Sequence, residues 1–167
     1  MRRLVALALL AGCARAPDQA LLSAIGTAEA LQHQADELEA RGDRAAAIER
    51  ARAALDVPFP AGAPERQDVR LDAWGRIAEL ELGRGEDAAA EEAVRAGLGE
   101  ASRRSYFEAR LFVVLGRIHR ARATAARAAH DEDAARRESD AALEALERSI
   151  AINAEVLGID PGGGRHP

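Results

Sequence analysis

Gly42-Asp43-Arg44-Ala45-Ala46-Ala47 returns further along the chain as Gly85-Glu86-Asp87-Ala88-Ala89-Ala90. The same shift of 43 positions carries Ala35 onto Ala78 and Leu55 onto Leu98. Each copy sets a small residue ahead of a Gly-acid pair and alanines behind it. A glycine there can adopt the left-handed backbone that ends a helix. A period of this length in an Ala-rich chain marks helix–turn–helix units that bury their apolar faces on one another. Small residues at matching places in two arms let the arms approach closely, and a bulky side chain fills the notch.

Outward from these two turns, the other breaks are plain. Asp56-Val57-Pro58-Phe59-Pro60-Ala61-Gly62-Ala63-Pro64 is a proline-rich loop, Gly97-Leu98-Gly99 closes a helix, and Ala129-His130-Asp131-Glu132-Asp133 is the last turn, with Asp131 as its N-cap. Between the breaks, apolar residues recur three and four apart: Leu31, Ala35, Leu38; Trp74, Ile77, Ala78, Leu82; Leu111, Leu115, Ile118; Ala142, Leu146, Ile150, Ala154. This spacing predicts three helix pairs, 18–41 with 44–56, 67–83 with 86–98, and 102–130 with 132–157. The fold class expected is all-α: antiparallel helical hairpins stacked in a row.

Composition agrees. Apolar residues make up 48% of the chain but aromatics only 3%, so the apolar share is mostly Ala and Leu, the strongest helix formers. All 23 basic residues are arginine against 28 acidic ones, a net charge of −5 with no basic run. That balance argues against nucleic acid as a partner and against binding to an anionic membrane surface. The single cysteine, Cys13, excludes an internal disulfide and a multi-cysteine zinc site.

The helix pairs resemble the tetratricopeptide repeat, a unit of 34 residues. Trp74 matches that family's early aromatic, Ile77-Ala78 its Leu-Gly pair, Gly85 its turn and Ala90 its first second-helix alanine. In the first unit Ala35, Gly42-Asp43, Ala47 and Ala54 match, with Pro58 near the terminal proline. In the third, Phe112, Leu115-Gly116 and the run from Ala142 to Asn153 match. The third unit departs from the pattern: it lacks the Gly-Asp turn and carries about fourteen extra residues, 121–134. Seven on each arm is close to two helical turns, which keeps register and makes a longer hairpin of roughly 40 Å at 1.5 Å per residue. In that family first-helix side chains line a concave face. The resemblance therefore implies a partner-binding surface of Glu29, Gln32, Asp36 and Glu39 in the first unit, Asp72, Glu79 and Leu82 in the second, and Arg110, Val113, Arg117 and Arg120 in the third. Such a face is acidic at one end and basic at the other, an arrangement that orients a protein or peptide partner.

The chain opens with Met1-Arg2-Arg3, an apolar run from Leu4 to Leu10, and Ala11-Gly12-Cys13. Two cations, a run too short to span a bilayer and small residues have the layout of a secretory signal. Leu10-Ala11-Gly12-Cys13 is similar to the lipobox of bacterial lipoproteins, in which the cysteine is diacylated and becomes the first residue. The resemblance implies a signal peptide over 1–12 and a lipidated tether over 13–20; Asp18 could cap the first helix, a helical repeat domain follows over 21–157, and the Gly- and Pro-rich end over 158–167 is expected to be a disordered tail. The lipobox resemblance also implies a membrane anchor in the cell envelope, on the periplasmic side of the outer membrane in a Gram-negative organism, since Ala14 rather than Asp follows the cysteine.

Chemistry-bearing groups are sparse. His33, His119, His130 and His166 have no partner at metal-motif spacing; Glu29 with His33, and Glu144 with Arg148, read as ordinary i,i+4 surface pairs. No nucleophile elbow or phosphate loop is present. The expectation is a non-enzymatic interaction module with no cofactor and no metal. Two other readings stay open: a structural spacer that self-associates, making a homo-oligomer without a client, and an enzyme accessory that binds glycan or lipid weakly.

Overall fold

The computed structural model describes residues 19–159. Six α-helices and no strand run through them: α1 (Gln19–Ala40), α2 (Arg44–Leu55), α3 (Glu65–Gly83), α4 (Asp87–Glu100), α5 (Tyr106–Ala128) and α6 (Glu132–Leu157). The all-α fold class and the three expected pairs are as the spacing indicated. Cys13, the expected signal peptide, the expected Asp18 cap and residues 160–167 lie outside the described residues.

One hydrogen-bond pattern ends the first helix of every pair. The Asp43 N–H reaches Leu38 O and the Gly42 N–H reaches Glu39 O. The Glu86 N–H to Glu81 O and the Gly85 N–H to Leu82 O repeat it. The Asp131 N–H to Ala126 O and the His130 N–H to Arg127 O repeat it again. This is the paired 6→1 and 5→2 closure that needs a left-handed residue just past the helix. Gly42 and Gly85 supply it at φ 85° and 81°, and His130 at φ 58°. The third unit thus lacks the glycine but keeps the turn. The acid that follows then starts the second helix: the carboxylates of Asp43 and Asp131 accept the N–H groups of Ala46 and Ala134 at 3.0 and 2.9 Å.

Each hairpin packs on itself, and consecutive hairpins pack through α2 on α3 and α4 on α5. The first helices also touch in sequence, α1 with α3 and α3 with α5. The main core sits between the hairpins: Ile48 and Ala51 of α2, Leu71, Ile77 and Leu80 of α3, Val94 of α4, and Leu111, Val114 and Ile118 of α5. Burying each large aliphatic side chain contributes about 2 kcal/mol. Close approach is set by small residues. A Cβ built on Gly97 would stand 2.8 Å from Leu111 Cδ1 and 2.9 Å from Trp74 Cβ. Gly97 and Gly99 therefore do not close a helix, as their type suggested; α4 runs past both to Glu100 because Gly97 is needed where three helices meet.

One other boundary differs from expectation. Helix α5 begins at Tyr106 rather than 102, because Ser105 is extended and accepts the Glu108 N–H at 3.2 Å. The loop before it is tied down by Gln67, whose Oε1 accepts from Ser102 N and Arg103 N while its Nε2 donates to Arg103 O. Helix α1 runs from Gln19, within the expected 18–41, so Gln19 and Ala20 belong to the helix rather than to the tether, and Gly158 and Ile159 cap α6 just past its expected end through bonds to Glu155 O and Ala154 O.

The extension of the third hairpin is symmetric. Gly116 lies against α6, where an added Cβ would meet Leu146 Cγ at 3.2 Å and Ala142 O at 3.3 Å. Fourteen residues separate Gly116 from His130 and twelve separate His130 from Ala142, against seven and five around Gly85. Seven residues are added per arm. The 26 residues of α6 span about 39 Å. The Arg122 side chain reaches Asp87 O and Glu91 of α4, and beyond it the arms close on each other through Ala123, Ala135 and an Arg127–Ser139 bond.

Candidate interaction surface

Because α1, α3 and α5 lie side by side, side chains four apart on each form one continuous face. Seven of the eleven residues assigned to it take part in two groups of polar contacts. Gln32 Nε2 donates to Asp72 Oδ2 at 3.4 Å. Arg110 donates to Asp72 and, at 2.8 Å, to Glu79. Arg117 Nη1 donates to the other oxygen of Glu79 at 2.9 Å. Asp36 and Glu39 are both engaged by Arg76 Nη2 at 2.6 Å. Arg76 was not among the expected residues. Its signal was there to find: it stands four after Asp72 and three before Glu79, so it shares their helix face.

Asp36 and Glu39 of the first unit are therefore met by Arg76 of α3, and Arg110 and Arg117 of the third by Asp72 and Glu79 of α3. The consequence is geometric: Arg76 and Arg110 each bridge two carboxylates, Arg117 adds a bond to Glu79, and all three tie neighbouring first helices together. Burial raises the Asp72 carboxyl above its ordinary range, with Glu79 and Asp36 adding to the effect and Arg110 and Arg76 opposing it.

The remaining four expected residues divide. Leu82 is not on the open face; it packs against the core, because it continues the apolar Ile77-Ala78 spacing one turn on. Val113 is exposed on α5. Glu29 and Arg120 are exposed at opposite ends of the face and carry no ion pair among the described residues. Glu29 borders a shallow cleft of about 280 Å³ with Gln32, His33, Asp36, Val69 and Asp72.

A second polar cluster was not anticipated. Arg70 donates two bonds to the Glu100 carboxylate and a third to Leu55 O, and Trp74 Nε1 donates to Glu100 Oε1 at 2.9 Å. It ties the end of α2 and the middle of α3 to the end of α4. The arginine and indole bonds hold the Glu100 carboxyl below its ordinary range despite its burial.

The surface pairs read from sequence rearrange. His33 stands 3.4 Å from Glu37 rather than beside Glu29, while Glu144 and Arg148 border an open groove of about 630 Å³ with Phe112, Leu115 and His119. His119 Nδ1 meets Glu138 Oε2 at 2.7 Å in the α5–α6 seam. Among the described residues no three His, Cys, Asp or Glu side chains converge to hold a metal ion, and no helix is long and apolar enough to cross a membrane. The fold and this face define an all-α stack of three hairpins with a charged side. No known family model, curated protein or solved structure matches the chain.

Proposed function

We propose that this chain is an envelope lipoprotein, cut before Cys13 and anchored there by acyl chains, whose helical hairpins form a tetratricopeptide-like module that docks a protein or peptide partner. The observation that carries this reading is the continuous first-helix face. Three hairpins with one turn geometry present it in a row, and its two ends, Glu29 and Arg120, keep unspent charges of opposite sign. Two acyl chains on Cys13 would hold the module at the membrane stably. In a Gram-negative organism the site of action is the periplasmic face of the outer membrane.

The test has two arms. Mass spectrometry of mature protein from membranes is expected to show chain starting at a diacylated Cys13; a bare thiol there removes the anchor. A photocrosslinking residue at position 29, in cells, is expected to trap a polypeptide of different mass. Trapping nothing, or only a second copy, removes the interaction role and favours the spacer reading.

A further inference from the structure

Counting from the buried alanines Ala47, Ala90 and Ala142, the second helices can be laid in one register. Ile48, Ala51 and Leu55 of α2 then match Glu91, Val94 and Leu98 of α4, and Leu143, Leu146 and Ile150 of α6. In α2 and α4 these positions take the first helix of the next hairpin. Ile48 and Val94 are 3% and 1% exposed, Leu55 and Leu98 pack on the core, and Glu91 grips Arg122 of α5. In α6 the same positions lack that cover: Leu143 is 60% exposed and Ile150 66%, and Leu146, which leans on Gly116, is still 40% exposed. Leu157, seven residues past Ile150, prolongs the stripe, and Tyr106 and Val113 of α5 flank it.

The opposite end of the stack is built differently. Aligning Ala35, Ala78 and Gly116, α1 has Gln34 and Glu37 where α3 has Ile77 and Leu80 and α5 has Leu115 and Ile118. The first hairpin thus closes the stack with a polar face, as terminal repeats need for solubility. The last hairpin does not. Head-to-tail growth would set the apolar stripe on Gln34 and Glu37, so the two ends do not match.

We propose that the stripe Leu143–Leu146–Ile150–Leu157 is covered by the same stripe of a second copy, closing a two-fold dimer through α6. This rests on neither the lipid anchor nor a partner for the first-helix face. Two observations select the second copy. The six exposed side chains offer roughly 600 Å² per copy, so a dimer buries about 1,200 Å² before its rim is counted, the lower bound of a stable interface. Charge is also complementary within the one surface. Asp140 and Glu147 run along the outer edge of the stripe, three residues before Leu143 and Ile150, while α5, packed along the other side of α6, carries the exposed Arg120, which has no ion pair among the described residues, and Arg117, bonded to Glu79. A two-fold axis parallel to the helices lays the acidic edge of each copy on the basic edge of the other; an antiparallel pairing would set like charges together.

The experiment uses the full-length chain carrying Cys13→Ser. Sedimentation equilibrium over a concentration series is expected to give twice the chain mass. Leu143→Glu with Ile150→Glu, at unchanged far-ultraviolet helicity, is expected to weaken association at least about thirtyfold, the loss that a hot-spot residue causes. In the same Cys13→Ser background, Leu143→Cys and Leu157→Cys are each expected to form a disulfide with their own counterpart under mild oxidation. A single-chain mass for the unsubstituted protein overturns the proposal, as does a dimer indifferent to the two glutamates. Cross-linking at only one of the two cysteine positions overturns the parallel two-fold.

Discussion

Among single residues, Glu100 and Asp72 respond to acid in opposite senses. Bonds from Arg70 and Trp74 hold the Glu100 carboxyl below its ordinary 4.5, so the folded chain binds fewer protons there than the unfolded chain. The stabilisation is full above the unfolded value and is lost as pH falls through the folded one. Glu91, bonded to Arg122, behaves alike. Asp72 is the reverse: burial raises its carboxyl, the folded state takes up its proton first, and acidification relieves a cost present at neutral pH. Glu100→Gln is therefore expected to lower unfolding free energy at pH 7 by about 1–2 kcal/mol, the worth of charge-assisted bonds, and to flatten the loss of stability between pH 5 and 3. Asp72→Asn should steepen that loss. Urea unfolding followed by circular dichroism at several pH values checks both; parallel curves for all three proteins would show that these contacts do not govern acid stability.

Helices and turns were the most legible part of the sequence, and their exceptions share one cause. Periodicity and Gly-acid punctuation report a segment's own preference, and they placed all six helices. They do not report who sits opposite. Gly97 looked like a terminator because glycine commonly is one; only the approach of Leu111 and Trp74 shows that it makes room. His130 stands in the expected last turn where the other two have glycine, and the surrounding bonds hold it at positive φ, which histidine adopts more often than most non-glycine residues. Arg76 could be placed on the face by its spacing from Asp72 and Glu79, but its bonding to Asp36 and Glu39 could not, because they lie on another helix, forty and thirty-seven residues away. Glycines within the helices separate these two roles experimentally. Gly97→Ala forces a contact below 3 Å in the core and is expected to cost about 1–3 kcal/mol. Gly26→Ala meets nothing within 4 Å on α1 and is expected to gain about 0.5–1 kcal/mol from helix propensity alone. Thermal melts of the two variants moving in the same direction would refute that distinction.

At the scale of the whole molecule, the third hairpin shows how a repeat can be lengthened without breaking the stack. The turn segment around His130 repeats the one around Gly85, so Ala123 and Ala135 stand to their turn as Ala78 and Ala90 stand to theirs; all four are buried. Seven residues further out on each arm, Gly116 and Ala142 hold the equivalent places against the rest of the stack. Because seven residues fall only about 20° short of two turns, both pairs of small residues face the same seam. Removing 116–122 together with 136–142 should then slide Ala123 and Ala135 into the positions of Gly116 and Ala142 and leave a hairpin the length of the second. Such a chain is expected to keep one cooperative thermal transition, at a lower midpoint because the contacts of Arg117 with Glu79 and Arg122 with Glu91 are lost. Removing only 116–122 shifts one arm about 10 Å along the other and sets small residues against large ones. That single deletion is expected to abolish cooperative melting of α5 and α6, visible as a broadened transition and a loss of helical signal. Should the one-arm deletion melt as sharply as the two-arm deletion, the arms would not be held in register by these paired small residues, and the symmetric account of the extension would fail.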